Sequence, residues 1–544
     1  MADNITRSVL LSGLCACGLL FYGCYSVGMF GPVFKNVWGT EIVEPEFYAN
    51  PSAIEELIEI VIAAEDAGKR VRMTGSGHSP SDIAVTKEVL LYPPLLTGPL
   101  ELDNSQLRNP NLPNIARVKS GTSLRDLNTY FEGIGMAFPN LGGWDEQTIA
   151  GAVMTATHGS GLDYGPIEST VLSMQVVSNG GEVLQIEPTQ GITNPHRFSG
   201  FLPENPDIPV RLIQDDETFQ AMKVSIGSMG IVYSYILQLE PAFWINENRT
   251  LTTWSNITSS DGFLTRLVEG RPLNPGGTEP DYYELQVNPY PTVQSPEHHS
   301  SQRSDYNVLL TQRWKSYSPL PVDRQRAVQG SEILQAIAVA FQPVVEGAIN
   351  LAPQIASSTI DTALRTQVDD SYTNISHRVF NIGLINRTEV YAIEIAFTLD
   401  DIIPAMERQF ELVASLKTRN IVQSAPVAIR FVKPSDAHIA MMEGRATAMM
   451  ELINLQGLYG VDTYFQQHQQ VMFTEFDSRP HWGLDLNYFQ GEDMPRNVYP
   501  RWDDWRRLYN QFNAKGTFNG KVTDRLGISV ADTVDNAKNH HVIN

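Results

Sequence analysis

The stretch Arg70-Val71-Arg72-Met73-Thr74-Gly75-Ser76-Gly77-His78-Ser79-Pro80-Ser81-Asp82 constrains this chain more than any other. A short β-type run, Val71 to Thr74, feeds a loop with two glycines, a histidine and a proline. Glycine lets backbone N–H groups turn toward a bound anion with no Cβ in the way. Pro80 prevents the segment from continuing as a strand. His78 therefore stands at the mouth of a loop suited to phosphate, where a histidine can meet a cofactor. The bland alternative is a glycine-rich turn with a solvated histidine. Two other readings fail on detail. The dinucleotide fingerprint G-x-G-x-x-G needs a third glycine where Pro80 stands, and a helix directly after it. The hydrolase elbow G-x-S-x-G needs a closing glycine where Ser81 stands.

A second stretch, Leu141-Gly142-Gly143-Trp144-Asp145-Glu146-Gln147-Thr148-Ile149-Ala150-Gly151-Ala152-Val153-Met154-Thr155-Ala156-Thr157-His158-Gly159-Ser160-Gly161, is again rich in glycine and hydroxyl groups. Together the two resemble the FAD-linked oxidases of the vanillyl-alcohol-oxidase type, in the branch of sugar-lactone and alditol oxidases. The second stretch is similar to that family's "DQT-x-AG…T-x-THG" segment, with Glu146 as an additional residue. Val224-Ser225-Ile226-Gly227-Ser228-Met229-Gly230-Ile231-Val232 resembles "V-x-LGALGIV", and Arg479-Pro480-His481-Trp482-Gly483 is a fourth match in family order.

The resemblance implies an α+β fold, with a two-part PCMH-type FAD-binding domain over residues 45–243. A substrate-binding α+β cap with an antiparallel sheet would occupy 244–475, and 476–535 would return to the FAD domain. It implies FAD as cofactor, covalently attached through His78, with no metal site; the alternative for His78 is a hydrogen bond to FAD alone. Thr74, Gly75, Ser76, Gly77 and Ser79 would hold FAD in the first loop. Gly142, Gly143, Gln147, Thr148, Gly151 and Ala152 would do so in the second stretch, with Thr157, His158 and Gly159 at its end and Ile231 beyond. For His158 a satisfied structural role is the rival reading. The implied reaction removes hydride from a CH–OH group of a small-molecule alcohol. Gly142, where dehydrogenase relatives can carry an alanine, implies O2 as acceptor and H2O2 as product. The alternatives are a dehydrogenase using a quinone or cytochrome, and a non-catalytic flavin-binding protein.

Candidate catalytic groups follow from the cap motifs. Arg430, on the apolar strand Val427-Ala428-Ile429-Arg430-Phe431, matches an arginine beside substrate and flavin; its rival role is a buried salt bridge, for example to Glu394. His481 is a candidate base or orienting group. Glu475 is a weaker candidate, on a predicted strand. Two departures matter: the family's glutamate two residues before the arginine is Ala428, and the lysine after "HWG" is Leu484. They lead to the expectation of a more apolar pocket, lined by Tyr391, Phe431, Phe473 and Trp482, and of a less polar alcohol such as a sterol.

At 544 residues the chain suits two domains, and its net charge of −22 argues against a nucleic-acid partner. No residue between Arg7 and Lys35 is charged. The apolar run Val9 to Phe34 is long enough to cross a bilayer. Residues 1–35 therefore read as an N-terminal membrane helix anchoring the protein, with a cleaved signal peptide as the rival. All three cysteines, Cys15, Cys17 and Cys24, lie there, so the rest of the chain can form no disulfide.

Local patterns place the remaining elements. Asn50-Pro51 opens a predicted helix that Gly68 closes. Residues 86–114 read as irregular. Ala116 to Ser120 reads as a strand, followed by a helix capped by Thr122 or Ser123. Val171 to Val177 and Glu182 to Ile186 flank Asn179-Gly180, a hairpin signal. Residues 187–213 read as a surface insertion, and Val224 to Leu239 as β. Ala336 to Ile355 is apolar enough for a helix. Strands are expected over Glu389 to Phe397 and Ala425 to Val432, and helices over Asp401 to Lys417 and Trp502 to Phe512.

Overall fold

The computed structural model describes residues 33–293, 304–323, 341–382 and 388–531. The expected anchor lies, up to residue 32, outside the described residues, as do the three cysteines. Among the described residues no helix is long and apolar enough to cross a membrane.

Two sheets build the first part of this α+β molecule. In a parallel three-stranded sheet, Val89–Leu91 lies between Phe47–Ala49 and Val71–Met73. The helix Ile54–Asp66 makes the crossover, burying Ile54, Leu57, Val61 and Ala64. It starts three residues later than Pro51 suggests, because the Ser52 N–H donates to the Glu56 carboxylate at 2.8 Å and takes the place of a cap. Gly68, at φ +63°, ends it in a conformation that favours glycine.

The second sheet has seven strands in the order Phe201–Leu202, Asn205–Gln214, Val183–Glu187, Val171–Val177, Ile231–Gln238, Ile115–Lys119 and Pro99–Leu100. The expected hairpin forms with Val183 opposite Val177, Gly180 and Gly181 taking positive φ in its turn. The helix Leu124–Gly133 begins where Ser123 accepts the Asp126 N–H at 3.0 Å.

Three expectations fail here. Residues 187–213 are no plain insertion: Asn205–Gln214 runs parallel to Val183–Glu187, with Val210 beside Val183. Pro206 and Pro209 mask the period-two pattern, and they are tolerated where few ladder bonds are needed. Residues 86–114 contain the strands Val89–Leu91 and Pro99–Leu100, too short to show any period. Val224 to Gly230 is a loop, with Ile226, Gly227 and Gly230 all at positive φ, and β-structure begins only at Ile231.

The second part is an antiparallel sheet of eight strands. Their order is Asp369–Ile375, Trp244–Thr253, Asn307–Ser316, Tyr282–Val287, Val427–Val432, Thr447–Leu455, Val390–Thr398 and Arg479–Pro480. The helices Ile402–Lys417 and Val461–Glu475 bury Met406, Phe410, Tyr464 and Met472 in one core with Ile393, Ile395, Ile429, Phe431, Met450 and Leu452 of the sheet. Alternation along each strand then sends Ala392, Glu394, Ala428, Arg430 and Glu451 to the opposite face. That face looks onto the first part. The chain returns there through the helix Trp502–Phe512, as expected, where the Trp505 indole donates to the Val224 carbonyl at 3.1 Å. Arg525 closes the return with two 2.9 Å bonds to Asp82.

Candidate active site

A cavity of about 490 Å³ lies between the two parts, and almost every element expected to hold a cofactor reaches its wall. The first loop supplies Thr74, Gly75, Ser76, Gly77, His78 and Ser79. Two Gly positions there admit no side chain cheaply: a Cβ on Gly75 would stand 2.6 Å from Thr148 Oγ1, and Gly77 has φ +73°. The Ser79 hydroxyl meets that of Ser81 at 3.0 Å and has no histidine partner among the described residues, so those residues offer no activated serine.

A short N-terminal hairpin, Phe34–Lys35 with Ile42–Val43, straps this loop from outside. The Val37 N–H donates to Gly77, Asn36 Nδ2 to the Ser79 carbonyl and Thr40 to the Pro80 carbonyl. It also brings Trp38 edge-on to His78, at 5.0 Å between ring centroids. Trp144 stacks on the same imidazole, also at 5.0 Å. The sequence reading placed Phe34 and Lys35 at the end of the membrane helix; they pair instead as a strand with Ile42–Val43. Burial lowers the His78 pKa to about 4 against the opposing field of Glu146. Its buried Nδ1 has no hydrogen-bond partner among the described residues.

From the second stretch Gly142, Gly143, Gln147, Thr148, Gly151, Thr157 and His158 line the cavity, and Ile231 joins from the third motif. The additional residue Glu146 turns outward to Arg125 at 2.9 Å. Two expected contacts are absent from the wall. Ala152 is packed in the core, and Ala150 lines the cavity in its place. Gly159 is wedged against Asn140 and Leu141, where its own carbonyl accepts from His158 Nδ1 at 2.8 Å.

The cap contributes a charged cluster. His158 Nε2 meets Glu394 at 3.2 Å, and His481 Nε2 lies 3.9 Å from the same carboxylate. Arg430 pairs with Glu451 at 2.9 Å, Glu394 at 3.4 Å and Glu284 at 3.7 Å. Burial disfavours its charge, but these three carboxylates outweigh burial and raise the Arg430 pKa. Burial likewise disfavours ionised Glu394, yet His158, His481 and Arg430 hold its pKa down to about 2. For Glu451 burial wins over Arg430, and its pKa is raised. His481 is pushed down to about 4, chiefly by burial.

His158, Glu394 and His481 bring three possible metal ligands together. The donor set does not fit an ion. His481 Nδ1 accepts the Gly483 N–H at 2.9 Å, so it carries no hydrogen. Coordination through Nε2 would require one there.

The structure corrects the expected lining. Glu475 ends the helix Val461–Glu475 rather than lying on a strand; it is solvent-exposed and held by Arg408 at 2.8 and 3.0 Å, away from the cavity. Tyr391, Phe431, Phe473 and Trp482 are also outside the cavity wall. Strand alternation turns Phe431 into the helix-covered core, and the Trp482 indole donates to Ile439 at 2.7 Å. Arg479 binds the carbonyls of Val498, Met441 and Glu443, and so braces the segment that carries His481. Glu451 was missed. Its signal is a single glutamate in the apolar run Thr447 to Leu455, at the position directly across the sheet from Ala428.

Comparison with known proteins agrees with this architecture. The family described as FAD binding domain matches residues 45–187, and that described as D-arabinono-1,4-lactone oxidase matches 305–526. An FAD-binding region thus precedes a lactone-oxidase-like region, and in both the chain is similar to FAD-linked oxidoreductases of the vanillyl-alcohol-oxidase type. An L-gulono-1,4-lactone dehydrogenase of Mycobacterium tuberculosis is 24% identical over 496 residues, covering 91% of this chain and 99% of its own. The D-arabinono-1,4-lactone oxidase of Saccharomyces cerevisiae is 32% identical over 226 residues, 41% of this chain and 38% of its own. In fold the chain is similar to the cholesterol oxidase of B. sterolicum, with TM-score 0.67 and 15% identity over 91% of this chain and 97% of the other.

The residues present fit FAD. A glycine-rich loop lines the same cavity as His78 Nδ1 and the buried Gln147 Oε1, which have no hydrogen-bond partner among the described residues.

Proposed function

We propose that the protein is an FAD-dependent oxidase that converts a CH–OH group to a carbonyl and reduces O2 to H2O2. FAD, when bound, supplies the two-electron redox chemistry. The single observation that carries the reading is one cavity joining the His78 loop to the Arg430, Glu394, Glu451 and His481 cluster. Supporting domains are an FAD domain over 45–243, a cap over 244–475 and a returning segment over 476–535.

In this reading the first loop and the Gly142 to Thr157 stretch hold the cofactor, and His78 bonds to it covalently. A neutral imidazole with an unshared Nδ1 is the nucleophilic form such a bond needs. Arg430 offers positive charge to an electron-rich ring. His481 acts as a donor rather than a base. Its Nδ1 is occupied by Gly483, so the neutral ring keeps its hydrogen on Nε2. Gly142 leaves the wall open to O2.

The substrate would place its hydroxyl among the charged groups and its remainder along Ala392, Ala428, Ile453 and Leu484. That wall suits an alcohol with an apolar body; the charged end equally accepts the hydroxyl of a lactone. The uncharged run from Arg7 to Lys35 would tether the enzyme to a membrane. The test is purification of the full chain and its His78→Ala variant, acid precipitation, and a peroxide-linked screen of lactones and sterols under air. Flavin retained in the wild-type pellet and peroxide from one class are expected. A colourless protein would overturn the reading, and flavin reduction without peroxide would favour a dehydrogenase, as the Mycobacterium tuberculosis relative is named.

A further inference from the structure

Oxidising an alcohol by hydride loss also requires a group that takes the hydroxyl proton, and the geometry of the charged cluster narrows the choice. Arg430 has no lone pair to offer. His481 can accept nothing at Nδ1, which already holds the Gly483 N–H. His158 commits one ring nitrogen to the Gly159 carbonyl and the other to Glu394. Glu394 is almost fully buried and takes both His158 and Arg430. Glu451 has a single hydrogen bond among the described residues, from Arg430 to Oε2 at 2.9 Å, and its side chain keeps 17% exposure to the cavity. It projects from the strand Thr447–Leu455 directly beside Ala428, whose methyl group leaves the space before it open.

We propose that Glu451 is the proton acceptor for the substrate hydroxyl. This rests on the CH–OH oxidase reading. The O–H bond breaks, its proton passes to the free Oε1, and its electron pair becomes the second C–O bond. The hydrogen on the carbon that bore the hydroxyl leaves with both electrons, for which FAD, when bound, would be the acceptor. The groups facing Glu451 are Arg430 on the neighbouring strand, Glu394 across the sheet and His158 from the first part. Burial and Glu394 raise its proton affinity, Arg430 and His158 lower it, and the net rise brings the carboxyl nearer the range in which a base works at neutral pH.

Glu451→Gln keeps an oxygen for Arg430 and removes only the capacity to hold a proton. The first readout needs no turnover: in the infrared titration of the FAD-loaded full chain, the difference between wild type and Glu451→Gln should isolate one carboxyl band titrating above the ordinary glutamate range, apart from the bands of Glu443 and Asp485, which burial also raises. That band should vanish in Glu451→Gln and persist in Glu475→Gln. The second readout is flavin reduction by L-gulono-1,4-lactone and by cholesterol in rapid mixing. Glu451→Gln should slow it by about 10²–10⁴-fold and erase its acid limb, while Glu451→Asp keeps the limb. A band that survives Glu451→Gln, or an unchanged acid limb, overturns the proposal. Should Glu451→Gln lose FAD, the Glu451→Asp band decides: unshifted from wild type, it overturns the proposal. A wild type without FAD defeats the oxidase reading itself.

Discussion

His78 and Trp144 lie ring to ring, their centroids 5.0 Å apart and their planes only 20° off parallel. The pair comes from two loops separated by 65 residues of chain, and Trp38 packs edge-on to the same imidazole. Packing of this kind fixes the direction of Nδ1 and also keeps the ring neutral, since burial lowers its pKa to about 4. Covalent flavin incorporation should therefore be constant above neutral pH and fall as pH approaches 4, where the ring gains its proton. Trp144→Ala, which frees the ring, should lower the covalent fraction while leaving FAD binding measurable. The acid-precipitated flavin of protein reconstituted across pH checks both.

Glu394 offers a stability test with a defined sign. Its folded pKa lies near 2, below the ordinary 4.5 of the unfolded chain. Ionised Glu394 thus contributes stability that is present above about pH 4.5 and lost as pH falls toward 2. Glu394→Gln leaves Arg430 and His158 without that charge and should cost about 3–5 kcal/mol at neutral pH. Its stability should also decline less than wild type's on acidification. Urea unfolding of both proteins from about pH 6 to about pH 3 would show it, and parallel curves would contradict it.

Much of this molecule was legible locally. Ser123 announces its helix, Asn179-Gly180 its hairpin, and Gly75 to His78 the cofactor loop, because each depends on a few adjacent residues. The charged cluster was not. Glu451, Glu394 and Arg430 meet only because three strands pair in a particular register, with Glu394 opposite Glu451 and Ala428 opposite the same residue. Ala428 and Leu484 suggested an apolar pocket when each was taken alone. The carboxylate contributed by the adjacent strand puts a charged group back beside Ala428, and the apolar wall is confined to Ala392, Ala428, Ile453 and Leu484. Strand alternation also removes Phe431 from the wall, one position after Arg430, and this follows from period two once the covered face is known.

Gly142 tests the oxygen argument. A Cβ placed there would stand 3.1 Å from the His158 carbonyl and 3.8 Å from Thr157 Cγ2, filling the cavity wall. Gly142→Ala should slow reoxidation of the reduced flavin by O2 several-fold, with little change in reduction by an alcohol. Double-mixing stopped flow separates the two half-reactions. Equal loss in both would mean that the methyl group displaces the flavin and does not screen it from oxygen.

Glu475 is the control that distinguishes a surface carboxylate from one in the cavity. It sits at the end of its helix in a two-pronged bond to Arg408, at 2.8 and 3.0 Å, and its side chain is 42% exposed. Arg408 lowers its pKa, so it is ionised at neutral pH and has no poise for proton transfer there. Solvent screens such a pair, which is worth about 0–1 kcal/mol. Glu475→Gln should therefore leave flavin content, the rate of flavin reduction and its pH profile unchanged, with at most a small fall in melting temperature. A large loss of reduction rate in this variant would restore it as a catalytic candidate and would require the helix Val461–Glu475 to approach the cavity during turnover.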